Sequence, residues 1–350
     1  MSNKIKVLIV QEKIPHYNVP VFNILNELYD LTVIYSEEDV KNNVFNALFI
    51  PQTHFSKYFN KRIINESNKY DVIISTLQYR NMFTYLAMCA NHKHKNLLWG
   101  IGVAAGYEIR YDSDPRRITI YKKLIDKSDA TIFYSDYPID KYISLGIDKN
   151  KLFVAHNTVK INKIDLNQNR SNILFIGTLY KEKRVDLLID EYRKAFDKNN
   201  DVADLLIIGD GPEKENIEQL INDYNLKNKV KMLGKITDED VLAKIFPNVL
   251  LCISPDQAGL SVQKAMGYGT VFVTKKDAIT GGEIFDIDDG VNGILIDDFN
   301  EISDIIVDAH INRDKYVSMG DKAYEFYWNN RTVEKKANGF IEAISYVMKN

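Results

Sequence analysis

The stretch of sequence that decides the fold runs from Ile253 to Val273. It reads Ile-Ser-Pro-Asp-Gln-Ala-Gly-Leu-Ser-Val-Gln-Lys-Ala-Met-Gly-Tyr-Gly-Thr-Val-Phe-Val. The pattern is the end of an apolar strand, a turn that contains a glycine, a short amphipathic helix and the start of a second apolar strand. Such a turn directs backbone N–H groups and the positive end of the helix dipole toward one point. We therefore predict a site for phosphate or sugar hydroxyl groups at this turn.

The same alternation of apolar strands and amphipathic helices extends along the whole chain of 350 residues. One set of strands is predicted at residues 6–12, 31–35, 71–75, 96–100, 131–134 and 152–155. A second set is predicted to begin at Ile173, Leu205, Val230, Leu250, Val271 and Ile294. The polar, asparagine-rich segment 157–172 is interpreted as a linker with little to bury. This order indicates two α/β domains with parallel sheets, which bind ligands at the carboxyl ends of their strands.

The turn region resembles the nucleotide-sugar site of the retaining GT-B glycosyltransferases of family 4, the group 1 enzymes related to bacterial glycogen synthase and sucrose synthase. The family pattern has two glutamates, with seven residues between them, before Ala-Met. Aligned on Ala265-Met266, the chain has Asp256 at the first position and Lys264 at the second. The resemblance implies that Asp256 binds hydroxyl groups of the donor sugar. Lys264 cannot accept hydrogen bonds from the ribose, because an ammonium only donates. Either it donates to the ribose or a phosphate, or this position is no longer a contact.

Further elements carry the resemblance, in the family's order, across residues 151–300. Residues 173–184 are similar to the family's strand, Gly-Arg-Leu and Lys element, which clamps the donor diphosphate. Lys183 falls on the lysine, whereas Thr178 replaces the arginine. Arg184 either stands in for that arginine or is a surface residue. Residues 206–212 resemble the family's Gly-Asp-Gly-Pro strand end, and residues 281–293 resemble its glycine-rich loops.

The resemblance implies a GT-B fold, in which two Rossmann-like doubly wound domains face a cleft. We expect an N-terminal acceptor-binding domain over residues 1–158 and a C-terminal nucleotide-sugar-binding domain over residues 171–330. A helix over residues 331–350 is expected to return to the N-terminal domain. The strand end at residues 99–102 and the basic helix predicted over residues 115–127 are candidates for acceptor contacts, although such a helix could equally be solvated.

The predicted catalytic residues are Lys183, Asp256 and His16. The predicted donor-binding residues are Gly177, Thr178, Arg184, Gly209, Asp210, Gly211, Gly259, Leu260, Ser261 and Lys264. His16 follows the first strand and is expected to contact the acceptor or the donor sugar, with a capping or core role as the alternative. Lys183, Thr178 and the N–H groups of residues 259–261 would stabilise the charge that develops on the leaving diphosphate.

No metal site is predicted. The Asp-x-Asp strings at residues 112–114 and 286–288 are attributed to chance, because a metal needs more convergent oxygen ligands. His92 and His94 lack a third ligand for zinc. No cofactor is expected beyond the nucleoside-diphosphate sugar, which is the donor substrate.

Cysteine usage and the lack of long apolar runs limit where the protein works. Cys89 and Cys252 lie in apolar surroundings without a CxxC partner and are predicted to be thiols in a reducing compartment. No apolar run has the length of a signal-peptide core or a membrane span. We expect a cytoplasmic protein and no nucleic-acid partner. Peripheral contact with an anionic membrane at its inner face is left open.

The resemblance implies a retaining, metal-independent glycosyltransferase that moves a sugar from a nucleoside-diphosphate sugar to a glycan or lipid-linked acceptor. Biosynthesis of a cell-surface polysaccharide, such as lipopolysaccharide or capsule, is the expected setting. The alternative is a degenerate, non-catalytic GT-B subunit that binds a partner transferase or a glycan. Thr178 and Lys264 keep that alternative open, because both depart from the family pattern.

Overall fold

The computed structural model describes residues 4–37, 42–51, 58–90, 93–106 and 109–349 and divides the chain into two compact units. The first unit comprises Met1–Ala105, Tyr111–Lys160 and Thr332–Asn350. The second comprises Gly106–Arg110 and Ile161–Arg331. Each unit is built on a parallel sheet with helices, which confirms the predicted α/β class.

The first unit contains a seven-stranded parallel sheet. Its strands are β1 Lys6–Val10, β2 Asp30–Tyr35, β3 Asn46–Phe49, β4 Val72–Thr76, β5 Lys95–Gly100, β6 Ala130–Phe133 and β7 Leu152–Val154. Its helices are α1 Val19–Leu28, α2 Lys61–Ser67, α3 Met82–Cys89, α4 Pro115–Lys127, α5 Tyr137–Ser144 and α12 Val333–Lys349. The strand order is β3-β2-β1-β4-β5-β6-β7, so the chain changes direction across the sheet between β1 and β4.

Both faces of this sheet are buried, as parallel sheets require. Along β1, Val7 and Ile9 belong to one hydrophobic cluster and Leu8 and Val10 to another. The C-terminal helix α12 packs on the first of these faces, against α1, β6 and β7. Its apolar residues recur at helical spacing, and this places them on one side of the helix.

A buried lysine joins α12 to the rest of the first unit. Lys336 is 1% exposed and donates hydrogen bonds to Oδ1 of Asn18 at 2.9 Å and Oδ1 of Asn157 at 3.0 Å. Its ammonium also lies 5.4 Å from the centre of the Trp99 ring. The helical pattern predicts an apolar face here, and the amide oxygens explain how a cation is accommodated on it.

The second unit contains a six-stranded parallel sheet and a two-stranded one. Its strands are β8 Asn172–Ile176, β9 Leu205–Ile208, β10 Val230–Gly234, β11 Val249–Ile253, β12 Gln257–Ala258, β13 Val271–Lys275, β14 Ile279–Thr280 and β15 Gly293–Ile296. Its helices are α6 Val185–Lys198, α7 Lys214–Asp223, α8 Glu239–Ile245, α9 Leu260–Gly267, α10 Glu301–Ile311 and α11 Arg313–Asn330. The order of the larger sheet is β10-β9-β8-β11-β13-β15.

Two sequence-based expectations differ from the structure. The edge strand β3 is not in the predicted set, because its residues are largely exposed and give no apolar run. The prediction that segment 157–172 has little to bury is wrong. Val159 and Ile161 are 7% and 6% exposed, and the Arg170 side chain is buried against Asp321 at 2.6 Å. The polar composition hid the Arg170 contact because its partner Asp321 lies in α11, far along the chain.

None of the helices within the described ranges is both long enough and apolar enough to span a membrane.

Candidate functional site

The predicted donor-binding residues gather around two neighbouring strands of the second unit. The strand order reverses between β8 and β11, so the loops that follow these strands diverge from one edge of the sheet. Residues 177–184 follow β8, and residues 254–259 follow β11. Ligands of doubly wound sheets bind at such a reversal, outside the carboxyl ends of the strands. The position of the candidate site therefore follows from topology alone.

Glycines allow the backbone after β8 and β9 to pack closely. Gly177 donates its N–H to the carbonyl of Ile208 at 2.9 Å and has a φ of 155°. A side chain at Gly209 would collide with the carbonyl oxygen of Gly177. Leu179 then donates to the carbonyl of Asp210 at 3.0 Å. The glycines of both motifs therefore shape one two-loop platform, and a residue with a Cβ would separate the loops.

Lys183 presents a cation at this platform. A methyl group added at Gly177 would collide with Lys183 Nζ, which also lies 5.9 Å from the centre of the Phe175 ring. Within the described residues, the Lys183 side chain has no hydrogen bond and no ion pair. Burial lowers the pKa of Lys183 from 10.5 to about 8. A desolvated ammonium without a counter-ion indicates a place where an anionic ligand binds.

The thiol of Cys252, which interacts electrostatically with Lys183, does not supply a negative charge to balance the ammonium. Cys252 is completely buried in β11, and burial raises the pKa of its thiol from 9.0 to about 12. The thiol is therefore neutral at physiological pH and cannot act as a counter-ion to Lys183. The chain keeps the cation of Lys183 available at the end of β8.

The two other residues predicted to hold the diphosphate differ from Lys183. The Arg184 guanidinium binds both carboxylate oxygens of Asp186, at 3.1 to 3.3 Å, and Arg184 has a φ of 54°. This pairing gives Arg184 a local structural role at the start of α6. Thr178 is exposed at the platform, where its hydroxyl is accessible to a ligand.

Asp256 follows β11 and is engaged by an arginine of the same unit. Arg110 donates from its two terminal nitrogens to Oδ1 of Asp256 at 3.0 Å and Oδ2 at 3.3 Å. A sugar hydroxyl that binds Asp256 must share or replace these bonds. Helix α9 begins four residues later, with Gly259 at its N-cap and no side chain that caps it. Residues 259–261 thus form an uncapped helix start next to a carboxylate.

Lys264 has a partner that the motif did not predict. Its ammonium lies 2.6 Å from Oε2 of Glu239, at the start of α8, and the hydroxyl of Tyr268 binds the other oxygen of Glu239. The Lys264 and Glu239 side chains are 17% and 24% exposed. A carboxylate is therefore present beside position 264, although it comes from a different helix.

We expect Lys264→Glu to lower the free energy of unfolding by about 2 kcal/mol, between the values typical of exposed and buried pairs. The variant would place two carboxylates side by side. The charge-exchanged variant Lys264→Glu/Glu239→Lys should recover most of this loss, and urea unfolding monitored by circular dichroism measures both. Equal losses in the single and double variants would show that the ion pair contributes nothing.

His16 belongs to the first unit, whereas the other predicted site residues belong to the second. Its exposed ring lies in a short turn just before α1, in edge contact with Tyr17 at 5.6 Å between ring centres. Lys13, Pro15 and His16 line a cavity of about 930 Å³ in the first unit. The exposure of His16 is consistent with a contact to substrate, and that role stays a prediction.

The Asp-x-Asp strings have structural partners of their own. Asp112 binds Lys141 and Tyr137, and Asp286 binds Arg331 and Gln263. His92 lies outside the described residues. Across the part of the chain that the structure describes, we find no three His, Cys, Asp or Glu side chains arranged to hold a metal ion.

Comparison with known proteins shows sequence similarity to glycosyltransferases. Residues 157–326 match the family model described as glycosyl transferases group 1. An uncharacterized glycosyltransferase of Methanocaldococcus jannaschii is 24% identical over 342 residues, which cover 94% of this chain and 81% of that protein. The N-acetyl-alpha-D-glucosaminyl L-malate synthase of Bacillus anthracis is 24% identical over 255 residues, 63% of this chain and 65% of that protein.

A solved structure agrees in fold along nearly the whole chain. The Anabaena protein HepE, in complex with UDP, superposes with a TM-score of 0.75 at 16% identity and covers 98% of this chain and 99% of its own. At this identity the agreement concerns the fold, which is that of the GT-B proteins.

Proposed function

We propose that the chain, whose residues 157–326 match the glycosyl transferases group 1 and whose fold is that of the GT-B proteins, is a retaining glycosyltransferase with a nucleoside-diphosphate-sugar donor. The acceptor is a glycan or a lipid-linked sugar in the biosynthesis of a cell-surface polysaccharide. The reaction uses neither a metal ion nor a further cofactor. The cytoplasmic location remains part of this proposal, and the free thiols of Cys89 and Cys252 support it.

The observation that carries the proposal is the half-buried ammonium of Lys183 after β8, which has no carboxylate partner among the described residues. In the transfer, the bond between the anomeric carbon and the diphosphate oxygen breaks, and an acceptor hydroxyl forms the new bond on the same face. The leaving diphosphate takes the hydroxyl proton. Lys183 stabilises the negative charge that develops on the diphosphate, and it does so where little water competes.

The remaining site residues have supporting roles in this proposal. The hydroxyl of Thr178 and the uncapped start of α9 at residues 259–261 donate to phosphate oxygens. Asp256 accepts hydrogen bonds from the donor sugar and exchanges its bonds to Arg110 for bonds to hydroxyl groups. Lys264 and Glu239 together lie where the family's second glutamate binds the ribose, so Glu239 supplies the acceptor oxygens that Lys264 lacks.

A nucleoside diphosphate should stabilise the folded protein in the presence of EDTA. UDP is the first probe, since HepE binds it in its crystal structure, and GDP and dTDP follow. At about a hundred times its dissociation constant, the nucleotide should add about 2.7 kcal/mol to the free energy of unfolding. Thermal melts in EDTA measure the effect, and uridine, which lacks the diphosphate, is the matched control.

Two results would contradict the proposal. A shift that appears only with added Mg²⁺ would rule out a metal-independent site. If none of the three nucleotides changes the melting temperature, the chain is better described as the non-catalytic GT-B subunit.

A further inference from the structure

A cavity of about 360 Å³ lies in the first unit, where the strand order reverses between β1 and β4. Its lining includes Glu12 after β1, Tyr79 and Arg80 after β4, and Trp99, the penultimate residue of β5. Arg117 reaches it from the first turn of α4. The volume suits one small ligand or one sugar unit of a larger one. The cavity holds the same topological position in its sheet as the Lys183 platform holds in the second unit.

Two guanidinium groups line this cavity. The Arg117 guanidinium lies 5.7 Å from the centre of the Tyr79 ring, and Arg80 follows Tyr79 in the chain. Among the described residues, Arg80 makes no ion pair with a carboxylate. The Tyr79 ring orients Arg117 and carries no charge, so the N–H groups of Arg117 keep the capacity to bind an anion.

The carboxylate of Asp114, close to Arg117, makes its hydrogen bonds with Arg116. Asp114 caps helix α4 by accepting the N–H of Arg116 at 3.1 Å, and it also binds Nε of Arg116 at 3.1 Å. Its distance to Nε of Arg117 is 3.9 Å, too long for a hydrogen bond. The Arg116 side chain is 89% exposed, whereas that of Arg117 is 27% exposed. The basic helix therefore has one solvated arginine and one that lines the cavity.

Unpaired hydrogen-bonding atoms complete the lining. Oε1 of Glu12 is buried and has no hydrogen-bond partner, and the same is true of the indole N–H of Trp99. A buried carboxylate oxygen without a partner costs folding free energy, which a ligand hydroxyl would recover. The cavity is thus lined by a carboxylate, Glu12, that can accept a hydrogen bond from a hydroxyl group, and by two guanidinium groups that can donate to an anion.

We propose that this cavity binds the acceptor, and that the acceptor is a sugar unit carrying an anionic group. Arg80 and Arg117 bind the anion, and Glu12 accepts a hydrogen bond from a hydroxyl group of the same sugar. The anion is a phosphate ester or a uronic acid carboxylate, since guanidinium groups bind both in a bidentate manner. This inference rests on the proposed function, because it assigns the acceptor of that transfer.

The test measures acceptor binding by calorimetry on the full chain, in the presence of saturating UDP. The probes are the methyl glycosides of glucose, galactose and N-acetylglucosamine, their 6-phosphates, and the uronic acids of the first two. At least one charged member should bind ten times more tightly than its neutral counterpart. Preference for the phosphates alone or the uronic acids alone identifies the source of the anion.

Arg80→Gln and Arg117→Gln should each reduce that preference about tenfold and leave binding of the neutral glycosides within a factor of two. Arg116→Gln is the matched control, since Arg116 is the neighbour of Arg117 on the same helix turn and faces solvent. It should behave as the wild type. UDP affinity should be equal in all four proteins, which shows that the variants fold and that the donor site is intact.

The outcomes separate this inference from the proposed function. Failure of the wild type to bind any nucleoside diphosphate overturns the proposed function. Normal UDP binding, with no charged glycoside bound more tightly than its neutral counterpart, overturns the anionic acceptor and leaves the donor site standing. A loss of preference in Arg116→Gln as large as in Arg117→Gln would also overturn it, because general surface charge would then explain the effect.

Discussion

Replacing Lys183 with methionine should stabilise the free protein and strongly weaken its nucleotide binding. Methionine has a similar length and no charge, so it removes the cost of holding an ammonium in a desolvated place. A pKa lowered from 10.5 to about 8 corresponds to about 3 kcal/mol at most, and we expect a gain of about 2 kcal/mol after allowing for partial solvent contact. Affinity for a nucleoside diphosphate should fall about a hundredfold, and turnover by at least as much.

The pH dependence of this effect has a defined sign. Below about pH 8, Lys183 is protonated in both the folded and the unfolded chain, and the folded chain bears the full cost of the charge. Between about pH 8 and 10.5, the folded chain has lost this proton while the unfolded chain keeps it, so stability rises with pH. The stability difference between Lys183→Met and wild type should therefore shrink across this range. Nucleotide affinity of the wild type should decline above about pH 8, because the diphosphate needs the ammonium.

Urea unfolding at several pH values and calorimetric titration with UDP measure these effects. Lys181→Met is the matched control, since Lys181 lies exposed in the same loop. It should change neither stability nor affinity appreciably. A variant Lys183→Met with wild-type UDP affinity would assign Lys183 to the surface and remove the main support for the donor site.

Breaking the ion pair between Asp286 and Arg331 should strongly destabilise the second unit. Its atoms are 2.6 and 2.9 Å apart, and Gln263 donates to the same carboxylate at 2.5 Å. The Asp286 and Arg331 side chains are only 9% and 11% exposed. Asp286→Ala would leave a buried guanidinium without its carboxylate, and we expect a loss of about 3 to 5 kcal/mol.

Asp288→Ala, two residues further on, is the control for this prediction, because Asp288 is exposed and its carboxylate has no partner among the described residues. Urea unfolding should separate the two variants clearly. Similar stabilities of Asp286→Ala and wild type would show that the Arg331 guanidinium is not left desolvated and unpaired when its carboxylate is removed.

The positions of the strands and glycines could be predicted because their signals are local. A strand buried on both faces, such as β11, needs a run of apolar residues, and that run is visible in the sequence. Gly177 and Gly209 have fixed places in a motif because a Cβ at Gly209 would collide with the backbone of Gly177, and a Cβ at Gly177 would collide with the Lys183 ammonium. The edge strand β3 was not predicted because its residues are largely exposed and therefore form no apolar run.

The sequence by itself therefore determined the α/β class, the two sheets and the candidate position of the donor site. Only the tertiary structure decided which charges are paired. Lys264 pairs with Glu239, which lies 25 residues away in the sequence, and Asp256 pairs with Arg110, which lies 146 residues away. Lys183 has no counter-ion among the residues that the structure describes, and Arg117 lines a cavity while its neighbour Arg116 does not. Coulombic and hydrogen-bonding partners depend on distance in space, and no periodicity along the chain records that distance.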